Sequence, residues 1–283
     1  MTLPTIEIAA QAGACYGVER ALQMVKKAGV THGGSVQTLG PLIHNPQVVQ
    51  ELEQDGIRVA SHVDEATANV VVVRSHGVAP EVVQRAHELQ KTVLDATCPY
   101  VKKVHYAAKF LEEQGYQVIV VGEAGHPEVE GTRGNAPSAV VVGSPEQLKD
   151  VKLRRKVGVV VQTTQSKANL QAILSCLLGK VEELRVFDTI CAATSERQAA
   201  AADLSSRVDT MIVIGGRISA NTTRLAEICA AHCSNTHHIE KPTELDPSWF
   251  ATSKHIGITA GASTPANQIQ AVQAAIVNLC EHL

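Results

Sequence analysis

Five short runs of valine and isoleucine set the strongest limit on what this chain can fold into. Of residues 69–73, 117–121, 157–161, 211–214 and 255–259, the first four runs are apolar at three or more consecutive positions, and the fifth, His-Ile-Gly-Ile-Thr, sets its isoleucines around a glycine. Such a run keeps no face for water, so it reads as a strand covered on both sides, as in a parallel sheet. Each run gives way to small or polar residues and then to helical spacing. Val18, Ala21, Leu22 and Val25 follow that spacing, with Gly29 placed to stop the helix; Val101, Val104, Ala108 and Leu111 do so before Gly115, and Ile269, Val272, Ile276 and Leu279 near the C-terminus. Pro46, Pro80, Pro99 and Pro265 stand where first helical turns are expected. A repeated strand-then-helix chain belongs to the α/β class.

Composition narrows the partners. With 45% hydrophobic and 19% charged residues, the chain can bury a sizeable core, and wholesale disorder is excluded. A net charge of −3 provides no general polyanion surface, and 3% aromatic residues argue against base-stacking platforms, so nucleic acid is not an expected partner. No apolar run approaches the ~20 residues that span a bilayer. No basic residue precedes Arg20, so the start does not read as a signal peptide. Seven scattered cysteines, an odd number, fit a reducing compartment, and the expected location is the cytoplasm.

The polar residues gather after the strands. His76, His126, Glu128, Thr163, Thr164, Ser219, Asn221 and Ser263 all follow the carboxyl ends of expected strands, the edge at which open parallel sheets bind ligands. Any one of them could be an ordinary turn residue. Five such loops together favour a shared site.

Three cysteines share a context. Cys98 and Cys191 each end an Asp-x-x-Cys motif, Asp95-Ala96-Thr97-Cys98 and Asp188-Thr189-Ile190-Cys191, 93 residues apart, and Cys15 lies 83 residues before Cys98. All three precede expected helices, where the helix dipole stabilises a thiolate. The spacing predicts three α/β lobes of similar size, at 1–97, 98–190 and 191–283, each giving one thiolate to a common centre, with the C-terminal segment closing over it. Three separate thiolates lack the close pairs of structural zinc sites and suit an iron–sulfur cluster with one iron left open to a substrate oxygen. Cys176, Cys229, Cys233 and Cys280 fall in helical patterns among apolar residues and read as core.

Read in order, the motifs resemble the LytB family, the 4-hydroxy-3-methylbut-2-enyl diphosphate reductases of the non-mevalonate isoprenoid pathway. The resemblance rests on Gly13-Ala14-Cys15-Tyr16-Gly17-Val18-Glu19-Arg20-Ala21, Gly40-Pro41-Leu42-Ile43-His44-Asn45-Pro46, Ser75-His76-Gly77-Val78 and Asp95-Ala96-Thr97-Cys98-Pro99. It continues through Gly125-His126-Pro127-Glu128-Val129-Glu130-Gly131-Thr132, Gln162-Thr163-Thr164-Gln165-Ser166 and Asp188-Thr189-Ile190-Cys191-Ala192-Ala193-Thr194. It ends with Ser219-Ala220-Asn221-Thr222-Thr223-Arg224-Leu225 and Thr259-Ala260-Gly261-Ala262-Ser263-Thr264-Pro265.

The resemblance implies a three-lobed trefoil of small parallel-sheet α/β units around a central [4Fe–4S] cluster held by Cys15, Cys98 and Cys191. It implies that two electrons and protons remove the substrate hydroxyl as water, giving isopentenyl and dimethylallyl diphosphate. His44, His76, His126, Ser219, Asn221 and Ser263 would hold the diphosphate of the allylic substrate, and Glu128, Thr164 and His126 would form the catalytic set. In that set Glu128 supplies protons and Thr164 lies beside the hydroxyl. Reduced flavodoxin or ferredoxin would donate electrons. Arg20, Arg197 and Arg224, also within motifs, read as structural ion-pair partners.

Imidazoles, hydroxyls, an amide and helix N-termini can together hold a diphosphate, which reconciles that substrate with a net charge of −3. The chain departs from the family pattern at Ala14, Tyr16, Ala192, Ile218 and Ala220, none of them an expected ligand or acid. Rival readings are a quinolinate synthase-like enzyme with the same kind of cluster, a non-enzymatic iron–sulfur sensor and a zinc hydrolase. The His-Pro-Glu and Gln-Thr-Thr motifs favour the reductase. A DNA-reading element and a His-x-x-Glu-His motif are both lacking.

Overall fold

Unbroken burial of the apolar runs makes them the central strands of three separate parallel sheets. The computed structural model describes residues 3–282. In chain order the elements are β1 (Thr5–Ile8), α1 (Tyr16–Thr31), β2 (Val36–Leu39), α2 (Pro46–Gln54), β3 (Arg58–Ala60), β4 (Val70–Val73), α3 (Pro80–Glu88), β5 (Thr92–Asp95) and α4 (Pro99–Glu113). Next come β6 (Gln117–Val121), α5 (Pro127–Asn135), β7 (Val140–Val142), β8 (Lys156–Val161), α6 (Lys167–Leu177), β9 (Glu183–Val186) and α7 (Ala192–Ser205). The chain ends with β10 (Thr210–Ile214), α8 (Ala220–His232), β11 (Thr236–Ile239), β12 (His255–Ala260) and α9 (Ala266–Glu281).

The sheets run β3-β2-β4-β5, β7-β6-β8-β9 and β11-β10-β12-β1, and every pairing is parallel. One topology is thus used three times: the first strand lies inside, the second returns to its outer side, and the third and fourth extend the other way. The third sheet takes its fourth strand from the start of the chain, with Thr5 opposite His255 and Ile8 opposite Ile258. The expected first lobe at 1–97 therefore does not contain β1. Contiguous boundaries miss this because a four-residue strand at a sheet edge carries no unbroken apolar run. The outermost positions of the expected lobes, residues 1, 2 and 283, lie outside the described residues.

By contacts the chain forms two units rather than three. One holds residues up to Val18, His44–Gln47 and Ala192 onward, with the β1-containing sheet; the other holds Glu19–Ile43 and Val48–Cys191, with the remaining two sheets. Helix α4 explains why residues 48–191 stay together. It leaves the first sheet after β5, yet packs Val104, Ala107, Ala108 and Leu111 onto Val118, Val120 and Val160 of the next. Each fully buried Val or Leu of this kind contributes about 1.5–3 kcal/mol.

Pro46, Pro80 and Pro99 open their helices as expected, while Pro265 stands one position earlier, as the N-cap of α9. Gly29 does not stop α1, which continues to Thr31. A methyl group on Gly29 would lie 2.9 Å from Ile57 Cδ1, so the glycine serves close packing instead. Among the described residues, no helix is long and apolar enough to cross a membrane.

Candidate functional site

The repeated topology delivers the candidate residues to equivalent positions. Residues after the first strand of each sheet include His44, His126, Ser219 and Asn221, and those after the third include His76, Thr163 and Ser263. These two strands flank the point where the strand order reverses, the switch point at which open parallel sheets bind ligands. After the fourth strand of each sheet comes a cysteine. The Cys98 amide donates to Ser75 O (2.9 Å), that of Cys191 to Thr163 O (3.1 Å) and that of Cys15 to Ala262 O (3.1 Å). In all three cases the acceptor follows the third strand of the sheet that the cysteine leaves.

The Asp-x-x-Cys motif now has a local cause. Asp95 Oδ1 accepts from the Thr97 amide at 2.9 Å and Asp188 Oδ1 from the Ile190 amide at 3.3 Å, each closing an Asx turn just before the cysteine. Lys102 pairs with Asp95 at 2.6 Å and Lys167 pairs with Asp188. Cys15 lacks this aspartate and follows Gly13 at φ +100°, a conformation closed to most side chains. Arg197 Nη2 donates to Gly13 O at 2.8 Å, and Arg20 Nη1 reaches Thr97 O at 3.3 Å. Arg20 therefore braces the backbone of a cysteine turn, where an ion pair was expected, and Arg197 braces the Cys15 turn. Arg224 does pair with Glu227, at 2.7 Å.

All seven cysteines are outside disulfides, and Cys15, Cys98 and Cys191 are partly exposed. Cys98 is the N-cap of α4, and Cys191 and Cys15 immediately precede α7 and α1. Soft sulfur donors at helix N-termini, with amides tied to neighbouring loops, fit an iron–sulfur cluster as a donor set. Among the described residues, no three His, Cys, Asp or Glu side chains are gathered to hold a metal ion. A four-iron cluster spreads its ligands over different irons and does not require that convergence. Cys229 is buried, and burial pushes its thiol up to about 12.

Within the two-sheet unit, His76 and His126 come together edge to face, with ring centroids 5.7 Å apart. His126 caps α5, and its Nδ1 accepts from the Glu128 amide at 3.2 Å. Accepting at Nδ1 places the proton of a neutral ring on Nε2. Glu128 is therefore in the first turn of a helix, not in a loop, and it is buried, at 2% exposed. Its Oε1 accepts from the Thr163 amide at 2.6 Å and its Oε2 from Thr163 Oγ1 at 2.8 Å. Burial outweighs these hydrogen bonds and holds the carboxyl up to about 7, so near neutral pH it keeps a proton to give.

Sequence reasoning missed Thr163 as the partner of Glu128. Thr164, expected beside the substrate hydroxyl, accepts from Gln162 Nε2 at 3.0 Å. The two threonines are the central residues of a turn closed by the Gln165 amide on Gln162 O at 3.0 Å, and their hydroxyls reach different partners. Only the pairing of β6 with β8 decides which of the two meets Glu128.

The other unit holds His44, Ser219, Asn221 and Ser263. Ser263 Oγ donates to His44 O at 3.1 Å, and Asn45 Nδ2 donates to Ser263 O and Gln268 Oε1, both at 2.9 Å. Ser219 caps α8, its Oγ accepting from the Thr222 amide at 3.4 Å. The first turn of α8 packs on the 261–264 loop so closely that a methyl group on Gly261 would lie 2.1 Å from Thr222 Oγ1. Asn221, in that turn, is 4% exposed, and among the described residues neither its Nδ2 nor its Oδ1 has a hydrogen-bond partner. A buried amide left unsatisfied costs about 1–3 kcal/mol, which a polar ligand would recover. Of the departing residues, Tyr16 and Ile218 are each 65% exposed.

The fold and these residues define a three-sheet parallel α/β protein with a buried carboxyl of raised pKa, polar groups at strand ends and cysteines at helix starts. The family model described as LytB protein matches residues 6–277, and the chain belongs to that family. The 4-hydroxy-3-methylbut-2-enyl diphosphate reductases of Geotalea daltonii (strain DSM 22248 / JCM 15807 / FRC-32) and Geobacter sulfurreducens (strain ATCC 51573 / DSM 12127 / PCA) are each 49% identical over 261 residues, 92% of this chain and 92% of theirs. A solved (E)-4-hydroxy-3-methyl-but-2-enyl diphosphate reductase, described as the terminal enzyme of the non-mevalonate pathway, is 41% identical. It matches with a TM-score of 0.72 over 98% of this chain and 100% of its own. The solved E-1-hydroxy-2-methyl-but-2-enyl-4-diphosphate reductase of Plasmodium falciparum is 25% identical and matches with a TM-score of 0.90 over 95% of this chain and 86% of its own.

Proposed function

We propose that this chain reductively removes the allylic hydroxyl of 4-hydroxy-3-methylbut-2-enyl diphosphate. Two electrons and two protons enter, one water leaves, and isopentenyl and dimethylallyl diphosphate form. Cys15, Cys98 and Cys191 hold a [4Fe–4S] cluster, which when bound supplies the electrons and a Lewis-acidic iron for the hydroxyl. The observation that carries the reading is the Glu128–Thr163 pair, because Thr163 O also accepts the amide of an expected cluster ligand, Cys191.

Hydroxide is a poor leaving group, so breaking the C–O bond calls for a proton. Glu128 holds that proton at Oε1 or Oε2, and the Thr163 hydroxyl orients the carboxyl and can relay it. His126 and His76 offer ring N–H groups to the diphosphate, joined by the Asn221 amide, the Ser219 and Ser263 hydroxyls and His44. The N-termini of α5 and α8 add their dipoles. Reduced flavodoxin or ferredoxin supplies electrons, and the free thiols fit the cytoplasm as the compartment.

The test is anaerobic purification with iron and sulfide analysis, followed by turnover of the allylic diphosphate with a viologen reductant. Iron and sulfide near four each per chain, with isopentenyl and dimethylallyl diphosphate as products, are expected from the [4Fe–4S] assignment. Stoichiometric zinc without sulfide removes the reading.

A further inference from the structure

The chain contains three Phe, one Trp and four Tyr, and half of these eight aromatic residues lie on one outer face of the two-sheet unit. Tyr100, Tyr106 and Phe110 are on α4, and Phe187 follows β9. Tyr106 stacks on Phe110 with ring centroids 6.4 Å apart, and Phe110 meets Phe187 edge to face at 6.1 Å. Tyr106 is nevertheless 72% exposed and Tyr100 40%. Phe187 packs on the buried core beneath, so the cluster is anchored there and presents Tyr100 and Tyr106 to water, the composition of a protein interface.

Cations frame the rings. Lys103 Nζ lies 5.2 Å from the centroid of Tyr100, and the Arg185 guanidinium lies 4.8 Å from that of Phe110 and 5.4 Å from that of Phe187. Asp95 pairs with Lys102, Glu113 with Lys109, Asp188 with Lys167 and Glu183 with Lys156, and Glu183 also feels the charge of Arg185. Lys103 and Arg185 are therefore in excess on a chain whose net charge is −3. An acidic partner is repelled by the molecule as a whole and drawn to this face.

The face also has the right address. A groove of about 420 Å³ runs along it between α4 and the segment after β9, lined among others by Pro99, Lys103, Tyr106, Phe187 and Thr189. Pro99 directly follows Cys98, and Thr189 is two residues before Cys191. Both are cysteines assigned above to the cluster.

We infer that this groove is the docking surface for an acidic protein that carries electrons one at a time. The inference rests on the reductase reading, which requires an external source of two electrons per turnover. The aromatic cluster supplies the contact area, Lys103 and Arg185 supply the steering, and the groove brings the carrier to the two cysteine turns.

The experiment uses the cluster-loaded enzyme, with an acidic flavodoxin as the probe. Its readouts are the dissociation constant of the carrier at two salt concentrations and the rates with flavodoxin and with a reduced viologen. Lys103→Glu with Arg185→Glu is expected to weaken flavodoxin binding tenfold or more, flatten its salt dependence and lower flavodoxin-driven kcat/KM to match, with viologen-driven turnover unchanged. Tyr106→Ala is expected to weaken binding without altering the salt slope. Arg154→Glu with Arg155→Glu, at the opposite ends of the strands, is the control and is expected to change neither.

Unchanged binding in the Lys103/Arg185 variant overturns the inference, as does a wild-type enzyme that turns over with viologen but binds no flavodoxin. A variant that changes only the oligomeric state would identify a self-association face and overturn it equally. Loss of viologen-driven turnover in the wild type would instead refute the reductase reading.

Discussion

Replacing Glu128 by Gln separates the carboxyl's proton from its shape. The amide oxygen can accept from the Thr163 amide as Oε1 does, and the new NH₂ can donate to Thr163 Oγ1. Packing and both hydrogen bonds survive, and only the titratable proton is lost. In the folded chain Glu128 keeps that proton to about pH 7, against 4.5 for an ordinary glutamate, because burial penalises its charge. The sign follows from linkage. A raised carboxyl pKa favours the folded state while the group is protonated, and that contribution is lost as pH rises from 4.5 through 7. At about 1.4 kcal/mol per pH unit the loss amounts to about 3 kcal/mol above pH 8.

The variant cannot ionise, so its stability is expected to fall less than wild type between pH 5 and 8, with a difference of about 2–3 kcal/mol in paired urea titrations. Turnover is expected to fall on the order of 10²-fold or more, with substrate binding to the oxidised enzyme preserved. In wild type, kcat should decline above pH 7 as the acid form empties, and that limb should vanish in the residual activity of the variant. Near-normal turnover, or an unchanged alkaline limb, would refute the assignment of Glu128 as proton donor. Equal pH dependence of stability in the two proteins would refute its raised pKa.

Changing Cys15, Cys98 or Cys191 to Ser should remove both the visible cluster absorbance and activity, since an alkoxide is a poor substitute for a soft thiolate; Cys229→Ser should keep the absorbance. Asn221→Leu should stabilise the chain by about 1 kcal/mol in denaturant, by removing two unsatisfied polar atoms, while raising the substrate KM tenfold or more. Gly77→Ala should destabilise by about 1–3 kcal/mol in thermal melts, because Gly77 has φ +74° and the new methyl would lie 2.6 Å from His105 Cε1. Burial holds His105 down to about 4, so its contribution is present above pH 6.5 and lost as pH falls through 4; His105→Leu should narrow the stability gap between pH 7 and pH 5 by about 2 kcal/mol.

What could be read in the sequence depended on how completely each element is buried. The five runs became β4, β6, β8, β10 and β12, five of the six inner strands, because burial on both faces favours small and apolar residues at successive positions. The sixth, β2, reads Val-Gln-Thr-Leu and carries no such signal. The edge strands are half-exposed, as in Glu-Leu-Arg-Val of β9, and only pairing reveals them. Cys98, Cys191 and Glu128 were legible as residues because their motifs are short and local. The identity of the threonine on Glu128 and the arginine braces depend on contacts between segments 35 to 184 residues apart. Local spacing is silent at that range.

The repeated topology also explains how one plan performs different tasks. Each sheet offers a position after its first strand, one after its third and one after its fourth. The fourth position is kept constant, a cysteine with its amide bonded to the loop after the third strand, and the other two vary. The first sheet places His44 and His76 there, the second His126, Glu128 and Thr163, and the third Ser219, Asn221 and Ser263. Only the second sheet puts a carboxyl at such a position and buries it, and that burial holds the carboxyl near neutrality. Moving a glutamate to the position of Ser219 would not transfer that chemistry. The hydroxyl there caps α8 by accepting from the Thr222 amide, and a longer glutamate side chain would give up that cap. The raised pKa of Glu128 is thus set by burial, against the Thr163 hydrogen bonds, rather than by the mere presence of a carboxyl in a strand-end loop.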